Sequence, residues 1–94
     1  MYTLDVLDPV APQQGDITAL PLAPRPASLA GKTLGLLWNG KANGDKALRR
    51  AGELVQKRVP DVTVKFYSGA LPCPDRLMEQ VKAEADAVIA CTAD

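Results

Sequence analysis

One stretch concentrates the residues able to do chemistry. Asn39, Gly40, Lys41 and Asn43 stand together in Trp-Asn-Gly-Lys-Ala-Asn-Gly-Asp, just after an unbroken apolar run that begins at Thr33. Asparagine amides accept and donate at once, glycine lets backbone N–H groups face a ligand, and lysine adds positive charge. Together they suit the anionic group of a small-molecule substrate, held by the loop backbone and the start of the helix that follows. The same residue types also make an ordinary turn and helix cap, and the sequence leaves both readings open. The pattern is neither a GxxxxGK[ST] phosphate loop nor a GxGxxG fingerprint, so nucleotide binding ranks below binding of a small anion.

The two cysteines, Cys73 and Cys91, form neither a CxxC pair nor a disulfide framework and read as free thiols. Cys91 falls at the mouth of a predicted strand. A thiol there can attack or resolve, or it can be a small buried hydrophobe. Cys73, flanked by Pro72 and Pro74 at a helix start, reads as part of a rigid turn. Histidine is absent, which removes the commonest general base and the commonest metal ligand. A self-contained metalloenzyme or a Ser-His hydrolase is therefore disfavoured; no residue is singled out as a metal ligand, and the residues do not identify a cofactor.

The elements that must position these residues follow from periodicity. Thr33 to Trp38 is apolar without alternation, as in a parallel strand covered on both faces. From Gly44 to Val59, Ala47, Leu48, Ala51, Leu54, Val55 and Val59 recur at helical spacing between charged residues. Asn43 or Asp45 can cap that helix, and Pro60 ends it. Val62 to Tyr67 alternates and suits an outer strand. Pro74 opens a second helix carrying Leu77, Met78, Val81 and Ala85 on one face. Asp86 to Cys91 is the third strand, continuously apolar from Ala87. The order is βαβαβ, and right-handed crossovers give a Rossmann-like α/β half-domain: three parallel strands in order 2-1-3, with a helix on each face. Ligands of such sheets bind beyond the carboxyl ends of the strands, so the Asn39 loop and the Thr92-Ala93-Asp94 tail should lie side by side there.

Residues 1–30 hold five of the 8 prolines and read as an extended arm, while residues 31–94 form the α/β domain. The arm's Tyr2, Leu4, Val6, Leu7, Ile17, Leu20 and Leu22 are too apolar for a solvated tail. They are expected to pack on the chain's own domain or on a neighbouring subunit. A sheet of three parallel strands also leaves an open edge, so the domain is expected to be completed by further chain or a partner, with a homo-oligomer as one form of this. Eleven basic and 11 acidic side chains are interspersed, leaving no electrostatic footprint for nucleic acid or an anionic membrane. No run approaches the roughly 20 apolar residues of a membrane span, and Asp5 lies where a signal peptide would be basic. A cytoplasmic location is the default expectation.

Leu7-Asp8-Pro9, Leu29-Ala30-Gly31-Lys32-Thr33, Gly35-Leu36-Leu37-Trp38-Asn39-Gly40-Lys41-Ala42-Asn43, Asp86-Ala87-Val88-Ile89 and Asp94 resemble the N-terminal half of the UGSC family. That family is named for a selenocysteine-or-cysteine, Gly, Ser, Cys motif on a Rossmann-like domain. Asp94 matches the Asp that precedes the motif, although Cys91-Thr92-Ala93 stands where the family tends to be glycine-rich. The resemblance implies an enzyme with a selenol or thiol nucleophile, acting in a reductive or carbon–heteroatom bond-breaking step on a small molecule. Under it Asp94 orients or deprotonates the neighbouring selenol or thiol, or caps the next helix, and Cys91 is the second candidate catalytic residue. Two expectations attach to the end of the chain. Either reading stopped at a selenocysteine codon, or this is a small subunit whose larger catalytic partner carries the motif. A non-catalytic subunit that completes a larger chain, and a small anion- or nucleotide-binding domain, are the alternatives.

Overall fold

The computed structural model describes residues 1–92. Its elements are β1 (Thr33–Trp38), α1 (Gly44–Arg58), β2 (Thr63–Ser68), α2 (Asp75–Glu84) and β3 (Ala87–Cys91). Both neighbours of β1 are parallel to it, and the strand order is β2-β1-β3. This is the doubly wound half-domain that the apolar periodicity predicts. Trp38 aligns with Ser68 on one side and Cys91 on the other, so all three strands end at one edge.

The two faces of the sheet are unequal. On one, Leu34 and Leu36 of β1 meet Leu48 of α1 and Val62, all buried, with Val55, Val64, Phe66 and Ile89 packed around them. Gly52 lets α1 sit close: a Cβ there would lie 2.9 Å from Leu36 Cδ1 and 3.2 Å from Val64 Cγ1. The other face carries Gly35, whose added Cβ would meet Ala85, Tyr67 and Val88, so α2 ends opposite α1 as right-handed crossovers require. Tyr67 and Val81 are buried on that side, but Met78 is 52% exposed and Val88 45%.

The continuously apolar β3 is therefore not covered on both faces. Ala87, Ile89 and Cys91 are half-buried, while Val88 and Ala90 are exposed. As an outer strand it has α1 over one face and little over the other, and its small residues carry no polar marker of the open side. The capping expectation also changes. Asn43 occupies the N-cap of α1 in a left-handed conformation (φ 68°), and no side chain caps the helix. Asn43 contributes backbone geometry, one of the few non-glycine residues suited to positive φ. Residues 1–28 are exposed throughout, and the longest dimension of the molecule is 71 Å. The arm does not pack down on its own domain, except where Leu22 to Pro26 line a cavity with Asp86, Ala87 and Val88.

One polar brace ties β2 to α2. The Tyr67 hydroxyl donates to Glu84 Oε2 at 2.6 Å, with Lys65 Nζ 3.8 Å from the same oxygen. Burial, then the Glu84 carboxylate, push the Tyr67 hydroxyl up to about 12 from 10.0. The hydrogen bond from Tyr67 holds the Glu84 carboxyl below its ordinary value. A raised tyrosine pKa stabilises the fold fully below pH 10, and that contribution fades between pH 10.0 and about 12. A lowered glutamate pKa stabilises above its ordinary value of 4.5 and fades as acid protonates the folded form. Tyr67→Phe should flatten both limbs of stability against pH, measured by urea unfolding at a series of pH values. Limbs as steep as wild type would mean that the pair does not set them.

Candidate functional site

At the carboxyl edge the loop after β1 folds back on itself. The Asn39 backbone N–H donates to Cys91 O at 3.1 Å, extending the β1–β3 ladder by one rung. Asn39 Oδ1 accepts from Lys41 N at 3.1 Å and from Thr92 N at 3.2 Å, and Nδ2 donates to Thr92 O at 2.5 Å. One half-buried side chain thus latches the loop to the residue that leaves β3, 53 positions away. Gly40 takes φ 89°, a left-handed conformation that glycine adopts at no steric cost, and so lets the loop turn inside the latch.

Trp38 Nε1 donates to Lys41 O at 2.7 Å, and the Gly44 N–H donates to the same carbonyl at 3.1 Å. The only tryptophan is thus a brace for the loop, while its ring packs 6.3 Å from Phe66. Arg49 stacks on the outer side of that cluster, 4.0 Å from the Phe66 ring centre. Gly44 is buried, and a Cβ on it would lie 2.7 Å from Thr92 Oγ1 and 3.1 Å from Trp38 Nε1. Gly44→Ala should therefore destabilise by about 1–2 kcal/mol, the overpacking cost less the helix-propensity gain. Thermal unfolding checks this, and a Tm equal to wild type would show that Thr92 simply moves aside.

The expected residues are brought together in part. Asn39, Gly40, Lys41 and Asn43 form one loop; Gly40, Lys41 and Asn43 are exposed, whereas Asn39 is engaged in the latch. The loop N–H groups are not all turned to solvent, since those of Lys41 and Gly44 donate within the loop. Cys91 is half-buried against the α1-side core, with its Sγ 2.6 Å from Thr92 Oγ1. Cys73 is half-buried in the β2–α2 connection, and its thiol faces Pro74 O at 3.8 Å. Asp94 lies outside the described residues. Thr92 lies beside the loop, where the sequence places the start of the tail, but the hydrogen bond of the Trp38 indole and the closeness of Gly44 were not singled out. The Asn-Gly pairs mark sharp turns, but nothing local marks the partner of Asn39 in the latch.

A shallow apolar cavity of about 200 Å³ opens on the same edge, bounded by Leu37, Trp38, Asn39, Ala70, Leu71 and Ala90, with Cys73 and Cys91 also in its wall. Among the described residues no group of three or more Cys, Asp or Glu side chains is arranged to hold a metal ion. No helix among them is long and apolar enough to cross a membrane.

A parallel βαβαβ unit, with its loops gathered at the strand carboxyl ends, defines an α/β protein of the Rossmann-like class. A family model described as the UGSC family matches residues 5–94, and the chain belongs to that family. No curated protein and no solved structure matches the chain.

Proposed function

We propose that this chain supplies the scaffold and one wall of the pocket of an enzyme that uses a selenol or thiol nucleophile on a small molecule, in a reductive or carbon–heteroatom bond-breaking step. Family membership supports the class of chemistry. The observation that carries the reading is the Asn39 latch, which fixes the exit of β3 against the loop after β1. A nucleophile close behind β3 would then face the exposed side of that loop. Gly40, Lys41 and Asn43 bind the polar end of the substrate, and Asn39 holds the loop in shape. Asp94 orients or deprotonates the nucleophile, and Cys91 serves as a second thiol. The compartment proposed is the cytoplasm, where free thiols stay reduced.

The experiment compares residues 1–94 alone with the same residues joined to a selenocysteine- or cysteine-Gly-Ser-Cys continuation. Each is incubated with a panel of small carboxylates bearing carbon–sulfur, carbon–nitrogen or carbon–halogen bonds, and products are followed by mass spectrometry. Turnover only in the extended chain is the expected result. Turnover by residues 1–94 alone, or by neither chain, counts against the reading.

The open outer edge of β3 and the exposed arm favour a second reading, that of a non-catalytic subunit which completes a larger catalytic chain. Leu4, Val6, Leu7, Ile17, Leu20 and Leu22 are each at least 76% exposed, and a partner or a second copy would cover them. Under this reading light scattering at micromolar concentration finds a dimer, or a complex with a co-expressed partner. A stable monomer that never associates speaks against it.

A further inference from the structure

We infer that the carboxyl edge of the sheet carries an apolar subsite beside the polar loop, and that it receives a compact hydrocarbon group of the substrate, a branched aliphatic or single-ring group of roughly six heavy atoms. The inference rests on the proposed function only for the word substrate; occupancy of the cavity stands on its own geometry.

The cavity of about 200 Å³ lies where the three strands end, with Leu37 and Ala90 on the sheet and Ala70 and Leu71 on the β2–α2 connection. The polar side-chain atoms of its lining residues already have partners. Trp38 Nε1 is held by Lys41 O, and both ends of the Asn39 amide are held by Lys41 and Thr92. The Cys91 thiol is paired with Thr92 Oγ1, and the Cys73 thiol faces Pro74 O. Leu37, Ala90, Ala70 and Leu71 supply hydrocarbon to its wall and Cys73 a thiol, so a polar group placed there would lose water without gaining a side-chain partner. An apolar cavity of about 150 Å³ in another protein binds benzene, which sets the scale of group that fits here. Leu71, 58% exposed, adds a solvent-facing apolar side chain to the lining. A larger space of about 430 Å³ between α2 and β3 also touches Leu37 but is rimmed by Glu79 and Lys82. Its position along α2 sets it apart from the Asn39 loop.

Trp38, the only tryptophan, is among the residues that bound the subsite and serves as the fluorescent probe. The full 94-residue chain is titrated with cyclohexanol, with glycerol as a polar counterpart of similar size, and Trp38 fluorescence is followed together with methyl NMR shifts. Saturable binding of cyclohexanol, on the order of millimolar, is expected, with shifts at Leu37, Ala90 and Leu71 and no saturable response to glycerol. Ala90→Leu and Ala70→Leu, which fill the cavity from opposite walls, should each weaken binding by roughly tenfold or more. Ala70 is an exposed loop residue, so its variant reads the site even if the strand variant unfolds. Equal responses to both alcohols, no saturable response, shifts centred on Met78 and Val88, or undiminished binding in a folded variant would overturn the assignment. None of these readouts needs turnover. A chain that binds cyclohexanol but never yields an active extended enzyme refutes the proposed function alone, and the converse refutes the subsite alone.

Discussion

Leu48→Ala should cost about 2–5 kcal/mol of folding stability, the range for emptying a fully buried leucine site. Leu48 is 1% exposed, the only large side chain below 2% among the described residues, and it packs on Leu34, Leu36 and Val62. Collapse around the void is hindered on both sides. Gly52 on the same helix already sits against Leu36, and β1 is held in register by both neighbouring strands. At roughly 0.05–0.15 kcal/mol per residue the folded portion is only marginally stable, so a loss of this size unfolds a large fraction of molecules at 25 °C. Leu54→Ala on the same helix is the control. Leu54 is 43% exposed, and its truncation should cost below about 1 kcal/mol. Leu48→Met conserves volume and should stay within about 1.5 kcal/mol of wild type. Urea unfolding of the three variants decides the matter: equal losses for Leu48→Ala and Leu54→Ala would mean that the core is not centred where Leu48 sits.

The contrast between those two leucines is also the measure of what sequence can say. Both belong to the apolar spacing of α1, but at about 100° per residue Leu54 falls about 120° round the helix from Leu48, at the margin of the stripe. The placement of the helix over β1 then makes Leu48 the centre. β1 and α1 were legible because their patterns are unambiguous: a non-alternating run in a doubly covered strand, then a long amphipathic helix bounded by Asn-Gly and Pro60. β3 was misleading because Val88 and Ala90 look like core residues, and whether a small apolar side chain is covered depends on what lies over it. The arm shows the same limit, since apolar content calls for a surface without naming one, and of the two surfaces expected its own domain is not the one that covers it.

The candidate site was legible in location and illegible in wiring. The rule that ligands gather at the carboxyl ends of parallel strands placed the Asn39 loop beside the residues after β3, and Thr92 does lie there. What the sequence does not contain is the division of labour inside the loop. Asn39 and Asn43 are the same residue type four positions apart, yet one spends its side chain on a latch and the other spends its backbone on a left-handed turn. That difference is set by the 53-residue contact to Thr92, which no local pattern encodes. Nor does any local pattern show that the Trp38 N–H closes the loop on Lys41 O.

Asn39→Ala should remove the latch at a cost of about 2–3 kcal/mol, three hydrogen bonds each worth roughly 1 kcal/mol net. Oδ1 serves the N–H groups of Lys41 and Thr92, and Nδ2 serves Thr92 O, so truncation strands two donors and an acceptor together. Water can reach Lys41 and Thr92, both exposed, which keeps the loss below that of a fully buried polar cluster. The effect should be local before it is global. Amide exchange at Thr92 and Lys41 should quicken sharply in the variant, while amides of β1 between Leu34 and Leu37 keep protection limited only by the lowered stability. Asn39→Asp separates the two halves of the amide. Its carboxylate still accepts from both N–H groups, but it has no donor for Thr92 O and sets an anion against that carbonyl. It should therefore lose less than the alanine variant, retain protection at the Lys41 amide, and fail to restore the bond to Thr92 O. If alanine costs under about 0.5 kcal/mol, or if both variants leave Thr92 exchange unchanged, the latch contributes nothing to the shape of the loop. The proposed function would then lose the observation that joins the loop after β1 to the exit of β3.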